Sequence, residues 1–294
     1  MCLKQAQVLI LGLYRQPNDY SCGPFALKHA LVTLGKLADE EAISAVAHPH
    51  WWAGTDEVKL ARAARHFGCD LPLVRRTTED RAFGVLDKYI ERRLPVILCV
   101  DDWGHWITVV RQEQSRYVVL DSKDAPVMQV LSRGQLKKRW NYRAEEDNPN
   151  LFDLHPVMPR FRVSAKAQFS VERAQFLRRP SNADLAKHWD AYLEDLLEIC
   201  RPRTGRSAGA LSMGEFLRRH QELLVSRLLY WHGDMEREAA VRLLRNFRFV
   251  AETYALVIPL AGARRALADL AMLLAMWAAS GKGVGEMYGA PGTY

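Results

Sequence analysis

The sequence has few features of a secreted, zinc-binding or membrane-spanning protein. It contains five cysteines in 294 residues, an odd number, and no two of them have C-x-x-C spacing. We therefore expect neither a disulfide framework nor a structural zinc site, which fits a reducing compartment. The most apolar late stretch, residues 266–279, is interrupted by Asp269 and is shorter than the roughly 20 residues that cross a bilayer.

Other absences concern targeting and partners. The apolar N-terminal run has no basic leader beyond Lys4 and no small-residue cleavage site, so we expect no secretory signal and a cytoplasmic location. The net charge of +7 is uneven, because residues 1–159 carry 21 Lys and Arg against 20 Asp and Glu, and residues 160–294 carry 20 against 14. No Gly-rich phosphate loop or basic stripe with interleaved aromatic residues accompanies that charge. We therefore expect the arginines to solvate helix faces, and expect no nucleic acid partner and no cofactor.

The first half of the chain combines two kinds of pattern. After Cys22 the apolar positions follow a helical period that ends near Gly35, and residues 39–46, 54–68 and 85–93 also have helical patterns. Three later runs are apolar or rich in β-branched and aromatic residues, which is typical of strands. Helices followed by strands predict an α+β domain over residues 1–159. The three strand-like runs are 94–100, 105–111 and 116–121.

The second half has only helical patterns. Residues 154–180 contain three prolines and little periodicity, so we place the domain boundary there. Short links between four amphipathic segments predict an all-α bundle over residues 160–280, which we expect to recognise a substrate or a partner protein. The Gly-rich residues 281–294 are expected to form a flexible tail. The four segments are 182–199, 212–231 (with a capping box, Ser212 and Glu215), 234–258 and 261–280.

Cys22 stands out among the five cysteines because of its predicted position. If the helix starts at Cys22, Pro24 falls in the first turn, where its missing N–H costs nothing. The positive end of the helix dipole stabilises a thiolate and lowers the pKa of a thiol. Cys22 is therefore a candidate nucleophile, and a nucleophilic cysteine needs a base and a group that orients the base.

His105 and Asp121 are the candidates for these two roles. A hairpin centred on Glu113 would place His105 opposite Asp121, Ile107 opposite Val119 and Val109 opposite Tyr117. Directly paired side chains are close enough for the carboxylate to accept a hydrogen bond from Nδ1 of the imidazole. Gly104 leaves space for a substrate to approach the ring.

Gln16 is the candidate oxyanion donor. An acyl-transfer site must stabilise the oxyanion of its tetrahedral intermediate, and a backbone N–H together with a side-chain amide can do so. The backbone N–H of Cys22 and the amide of Gln16 are candidates, and Gln16 reaches further than its competitor Asn18.

These residues, in this order and spacing, resemble the bacteriocin-processing peptidases, which cleave double-glycine leaders, and their papain-like relatives. The likeness covers about residues 10–125. It implies a papain-like fold with Cys22 as nucleophile, His105 as general base, Asp121 as orienting group and Gln16 as oxyanion donor. The family's transporter-linked members continue into membrane spans and an ATPase instead of a helical half, and the family often has Pro where this chain has Ser122. The motif residues are Gln16, Cys22, Gly23, Pro24, Gly104, His105 and Asp121.

Several other residues have a structural and a functional interpretation. Trp51, Trp52 and Trp103, together with Gly104, could line a substrate groove, although core packing is equally compatible with each tryptophan. The histidines of the stretch HPHWW lack a third ligand of suitable spacing, so we expect no metal. We expect Cys69 and Cys99 to be inert core thiols, and predict no base for Cys2 or Cys200.

The sequence thus predicts a cofactor-independent cysteine peptidase, or more broadly a thiol acyl hydrolase, that acts on a peptide or protein substrate. Two alternatives stay open. The same triad can transfer an acyl group to an amine, as transglutaminase-like and phytochelatin-synthase-like enzymes do. An inactive papain-like shell could also bind peptides without cleaving them.

Overall fold

The computed structural model describes residues 12–143, 145, 148–200 and 209–280. Cys2, residues 201–208 and the predicted flexible tail 281–294 lie outside the described residues.

The first half begins with helices whose ends follow from local sequence. Asp39 and Asp56 accept hydrogen bonds from backbone N–H groups three residues on and so cap two helices. Gly35 and Gly68 follow two helices with φ of 70° and 79°, a conformation that glycine adopts without strain. The helices are α1 (Cys22–Thr33), α2 (Glu40–Ala47), α3 (Glu57–His66), α4 (Glu79–Glu91) and, further along, α5 (Arg133–Trp140).

A six-stranded antiparallel sheet lies between these helices, in the order β2-β7-β3-β4-β5-β6. One face packs on α1 to α3 and the other on α4 and α5, which gives two apolar cores. The predicted strands are present as β3 to β5. The strands are β2 (Val74–Arg76), β3 (Val96–Val100), β4 (His105–Glu113), β5 (Arg116–Leu120), β6 (Met128–Ser132) and β7 (Phe152–Pro156), with a separate pair β1 (Cys69–Asp70) and β8 (Met158–Pro159).

The predicted register of the β4–β5 hairpin is wrong. The two-residue turn is formed by Gln114 and Ser115, both with positive φ, so Glu113 pairs with Arg116 rather than forming the turn. A bulge between Val109 and Arg111 then shifts the pairing by one residue. Beyond it, Val109 lies opposite Val119 and Thr108 opposite Leu120, and continuing this register places Asp121 opposite Ile107.

The second half is mainly helical, but the expectation that it lacks strands is wrong. Residues 257–259 pair with 210–212, and the predicted helix 234–258 ends early, at Thr253, shortly before the left-handed Ala255. The segment 182–199 is also divided, into two helices. The elements are α6 (Val171–Leu177), α7 (Ala183–Lys187), α8 (Trp189–Cys200), β9 (Ala210–Ser212), α9 (Met213–His232), α10 (Arg237–Thr253), β10 (Val257–Pro259) and α11 (Ala263–Ser280).

The two halves share an apolar core. Leu13, Val32 and Leu120 belong to the same buried cluster as the inner faces of α8 to α11. The Tyr254 hydroxyl donates to the carbonyl of Val32 at 2.8 Å, and Lys28 of α1 lies 3.4 Å from Asp190 of α8. The predicted class, helices on an antiparallel sheet followed by a helical bundle, is confirmed, while the boundary at residues 159–160 stays a prediction.

Candidate active site

Helix α1 fixes Cys22 at one end of the sheet. It begins at Cys22, as predicted, with Pro24 in its first turn, and Thr108 of β4 donates to the carbonyl of Ala26 at 2.7 Å. The side chain of Thr55 packs over Gly23, where a Cβ would lie 2.9 Å from that of Thr55. Glycine is therefore required beside Cys22 for this close approach.

The imidazole of His105 connects the thiol to the carboxylate. Its Nε2 lies 2.7 Å from Oδ1 of Asp121. The two side chains are therefore as close as the sequence predicts, although the predicted strand register is wrong. The expected nitrogen is wrong, however, because Nε2 rather than Nδ1 engages the carboxylate. Nδ1 is therefore the nitrogen left for Cys22, whose side chain also interacts with this imidazole.

These contacts perturb the protonation of both partners. Burial acts to lower the pKa of His105, but the interactions with Asp121 and Cys22 outweigh it and raise that pKa to about 9. Burial acts to raise the pKa of Asp121, because it disfavours the charged carboxylate. Hydrogen bonds from His105, Lys123 and Arg139 nevertheless hold the pKa of Asp121 well below its ordinary range. The pair is thus an imidazolium and a carboxylate at neutral pH.

Arg139 of α5 supports this pair and has no counterpart in the sequence-based prediction. Its Nη1 donates to Oδ2 of Asp121 at 2.8 Å, and its Nε and Nη2 donate to both oxygens of Asp101 at 3.0 and 2.7 Å. Asp101, Asp102 and Trp103 all have positive φ, between 55° and 62°, each at a cost of roughly 1 kcal/mol. Arg139 therefore clamps a strained turn that leads directly into His105.

Gln16 lies beside the segment that follows Asp121. Its backbone N–H donates to the carbonyl of Ser122 at 2.8 Å, and its Oε1 accepts from the Ser122 hydroxyl at 2.6 Å. Its Nε2 donates to the carbonyl of Asn18 at 2.7 Å. Ser122, where the resembled family often has Pro, thus fixes which way the Gln16 amide points.

A groove of about 410 Å³ opens beside Cys22. The predicted substrate-binding residues Trp51, Trp52, Trp103 and Gly104 all line it. Trp51 and Trp52 are 74% and 71% exposed, so the core-packing interpretation is wrong for them. The carbonyl of Thr55 accepts from the indole of Trp106 at 2.8 Å, which ties the loop that carries both tryptophans to β4.

The other described cysteines differ from Cys22 in their surroundings. Burial raises the pKa of Cys69 to about 11 and that of Cys200 to about 12. Cys99 also has a raised pKa because of burial, but it borders the groove instead of lying only in the core.

Both histidines of the HPHWW segment have local structural roles. Nδ1 of His50 accepts from the backbone N–H of Trp52, and His48 is the left-handed residue that ends α2. Among the residues that the structure describes, no three His, Cys, Asp or Glu side chains come together as metal ligands. Within the same residues, no helix has the length and apolar character of a membrane span.

Comparisons with known proteins return structural matches only. The peptidase domain of Streptococcus ComA, a bifunctional ABC transporter of a quorum-sensing pathway, matches 51% of this chain and 98% of its own, at 16% identity and a TM-score of 0.38. A double-glycine-motif protease of an AMS/PCAT transporter, solved with its leader peptide, matches 50% and 93%, at 13% identity and a TM-score of 0.35. A C39-like peptidase from Bacillus anthracis matches 50% and 95%, at 10% identity and a TM-score of 0.37.

No family model matches the chain, and no curated protein does. The resemblance expected from the sequence is confirmed as a similarity of about half of the chain to peptidase domains of that kind.

Proposed function

We propose that this protein is a cysteine peptidase, or more broadly a thiol acyl hydrolase, with Cys22 as its nucleophile. The observation that carries the proposal is the placement of His105, which contacts Asp121 at 2.7 Å through one ring nitrogen and interacts with Cys22 beside an open groove. A nucleophile, a base and an orienting carboxylate in this sequence of contacts are what thiol catalysis requires.

The reaction follows from these contacts. The thiolate of Cys22 attacks a carbonyl carbon, a C–S bond forms, and the carbonyl oxygen becomes an oxyanion. The imidazolium of His105 protonates the leaving amine as the C–N bond breaks, which leaves a thioester on Cys22. Neutral His105 then takes a proton from water as the water attacks the thioester, so that the acid is released and the thiolate and imidazolium are restored.

The oxyanion is the second requirement of the site. Backbone N–H groups in the first turn of α1 have no acceptor within the helix, so the Cys22 N–H is available to stabilise it. We assign the second donor to the Gln16 amide, which Ser122 and Asn18 hold in one orientation. One N–H of that amide is used by Asn18, and the other is left for the substrate oxygen.

The rate at which each cysteine is alkylated, measured against pH by mass spectrometry, tests the nucleophile. We expect Cys22 alone to react fast well below pH 8 with iodoacetamide, and to lose this advantage in His105→Ala. Cys69, Cys99 and Cys200 are internal controls in the same sample. If Cys22 titrates like them in the wild-type chain, the assignment is wrong and the peptide-binding shell becomes the better interpretation.

Turnover separates hydrolysis from transfer. A random decapeptide library should be cleaved by the wild-type chain and left intact by Cys22→Ala, and Gln16→Ala should lower the rate on the order of 100-fold. A labelled amine added to the reaction reports acyl transfer. Its incorporation in place of hydrolysis would favour the acyltransferase alternative.

A further inference from the structure

The groove beside Cys22 differs in charge from the rest of the chain. The full sequence has a net charge of +7, but the groove is lined by four carboxylates, Asp19, Asp56, Glu57 and Asp153. Among its described lining residues, Arg75 is the only Lys or Arg, and Asp153 binds it with two hydrogen bonds of 2.7 Å. A negative groove on a positive protein attracts and orients cationic ligands.

The aromatic rims of the groove present faces that can bind cations. Trp51 and Trp52 are mostly exposed and adjacent in one loop, and exposed apolar patches of this kind mark interaction sites. Across the groove, Trp103 stacks on Tyr142, and the guanidinium of Arg75 lies 5.4 Å from the Trp103 ring. This chain thus already places one of its own cations on a groove tryptophan.

Two buried side chains in the groove wall favour a polar, cationic occupant. Thr55 is 4% exposed and lines the groove, and its Oγ1 has no hydrogen-bond partner among the described residues. A buried polar group without a partner is costly unless an occupant of the groove supplies one. His155 of β7 also lines the groove, and burial lowers its pKa despite the nearby Asp153 and Glu57, so the ring does not repel a cation.

From this combination we infer that the groove selects peptides with a lysine or arginine side chain next to the scissile bond, bound between the indoles of Trp51 and Trp52 and the carboxylate of Glu57. The backbone of the same peptide would supply a hydrogen-bond partner for the Thr55 hydroxyl. The inference deepens the proposed function, because it names the substrate class of the site that contains Cys22.

Glu57 is the carboxylate that this proposal singles out. Asp56 caps α3 and lies 3.3 Å from Lys59, and Asp153 is neutralised by Arg75. Glu57 is exposed, and its charge acts on Arg75, Cys99 and His155 across the groove floor. Arg75 forms its hydrogen-bonded ion pair with Asp153 and acts on Glu57 only through its charge, so the Glu57 carboxylate can pair with a cation that enters the groove.

Binding can be measured without any reaction on the full-length Cys22→Ala chain. All eight tryptophans are replaced by 5-fluorotryptophan, and the ¹⁹F resonances of Trp51 and Trp52 are assigned from single Trp→Phe variants. The probes are the acetylated, amidated tripeptides Ala-Lys-Ala, Ala-Arg-Ala, Ala-norleucine-Ala and Ala-Glu-Ala. We expect the two cationic tripeptides to shift both resonances at concentrations about threefold lower than the norleucine peptide, and the glutamate peptide to bind most weakly.

Glu57→Gln and Glu41→Gln form a matched pair for this titration. Both residues are exposed glutamates in the first turn of a helix with an aspartate cap, so both variants remove the same charge from the same local setting. We expect Glu57→Gln to abolish the preference for lysine over norleucine and Glu41→Gln to preserve it. Unchanged resonances of the buried Trp140 and Trp189 confirm that each variant is folded.

Equal binding of the lysine and norleucine tripeptides, or the same loss in both glutamine variants, would overturn the inference. That result leaves the proposed function standing if Cys22 is still alkylated fast in the wild-type chain. Conversely, a lysine preference that depends on Glu57, without a reactive Cys22, would support the cationic groove while refuting catalysis.

Discussion

Two buried charge networks in this protein each contain an aspartate, and the pKa values of these two aspartates are shifted in opposite directions. In the first, Lys28 of α1 lies 3.4 Å from Asp190 of α8 and 3.9 Å from Glu40, and it donates to the carbonyl of Gly12. In the second, Arg139 joins Asp121 to Asp101 behind His105. Burial raises the pKa of Asp190, whereas the hydrogen bonds to Asp121 lower its pKa although it is equally buried.

The number of donors explains this difference. Both oxygens of Asp121 accept hydrogen bonds, from His105 and the Lys123 N–H on one side and from Arg139 on the other. Among the described residues, Oδ1 of Asp190 has no hydrogen-bond partner. The fully satisfied network ends at the groove with Cys22, and the incompletely satisfied one joins the two halves of the chain. We therefore expect mutations in the Lys28 network to change stability more than the reactivity of Cys22, and mutations in the Arg139 network to change that reactivity.

The largest effect is expected from Lys28→Met. It leaves Asp190 and Glu40 without their buried cation, so the free energy of unfolding in urea should fall by about 3–5 kcal/mol at pH 7. The loss should shrink toward pH 5, because Asp190 can then bind a proton. Lys88→Met, which changes an exposed lysine, serves as the control. A strong fall in the alkylation rate of Cys22 in the folded Lys28→Met variant would contradict the separation of the two networks.

The second prediction concerns the pH dependence of stability. The pKa of His105 is raised from its ordinary 6.5 to about 9 in the folded chain, so protonated His105 stabilises the fold. This contribution to the free energy of unfolding is complete below pH 6.5 and is lost as the pH rises through 9. The wild-type free energy of unfolding should therefore fall between pH 6.5 and 9, relative to that of His105→Gln, by on the order of 2 kcal/mol. Parallel curves for the two proteins would show that the ion pair does not form.

The smallest effect is expected from Arg139→Met. Loss of the clamp on Asp101 and Asp121 should misplace His105 and slow alkylation of Cys22 by about tenfold, with partial rescue in Arg139→Lys. Arg133→Met is the matched control, since Arg133 lies on the same helix and pairs with Glu79 and Asp80 at the surface. An equal loss of rate in both variants would argue against a positioning role.

Much of the local structure could be predicted from the sequence because it depends on neighbouring residues. The start of α1 at Cys22, its end near Gly35 and the helical patterns over residues 39–46 and 54–68 all depend on contacts within a few residues. The breaks in the second half were missed because the pairing of residues 257–259 with 210–212 joins segments far apart in sequence. Helical periodicity alone cannot reveal such a pairing.

The candidate site divides in the same way. Cys22, His105, Asp121 and Gln16 could be singled out from residue type, order and spacing, whereas no local pattern marks Arg139, which lies on a helix beyond Asp121. His155 and Glu57 were also missed, because only the folding of β7 and of the loop before α3 brings them to one groove.

The sequence by itself determined which residues could carry the chemistry and where the helix beneath Cys22 begins. Only the tertiary structure decided how His105 and Asp121 meet. The turn at Gln114 and Ser115, without a bulge, would place Asp121 opposite Thr108, on the other face of the sheet from His105. The bulge between Val109 and Arg111 returns Asp121 to the face of His105, because strand side chains alternate and one extra residue exchanges the faces.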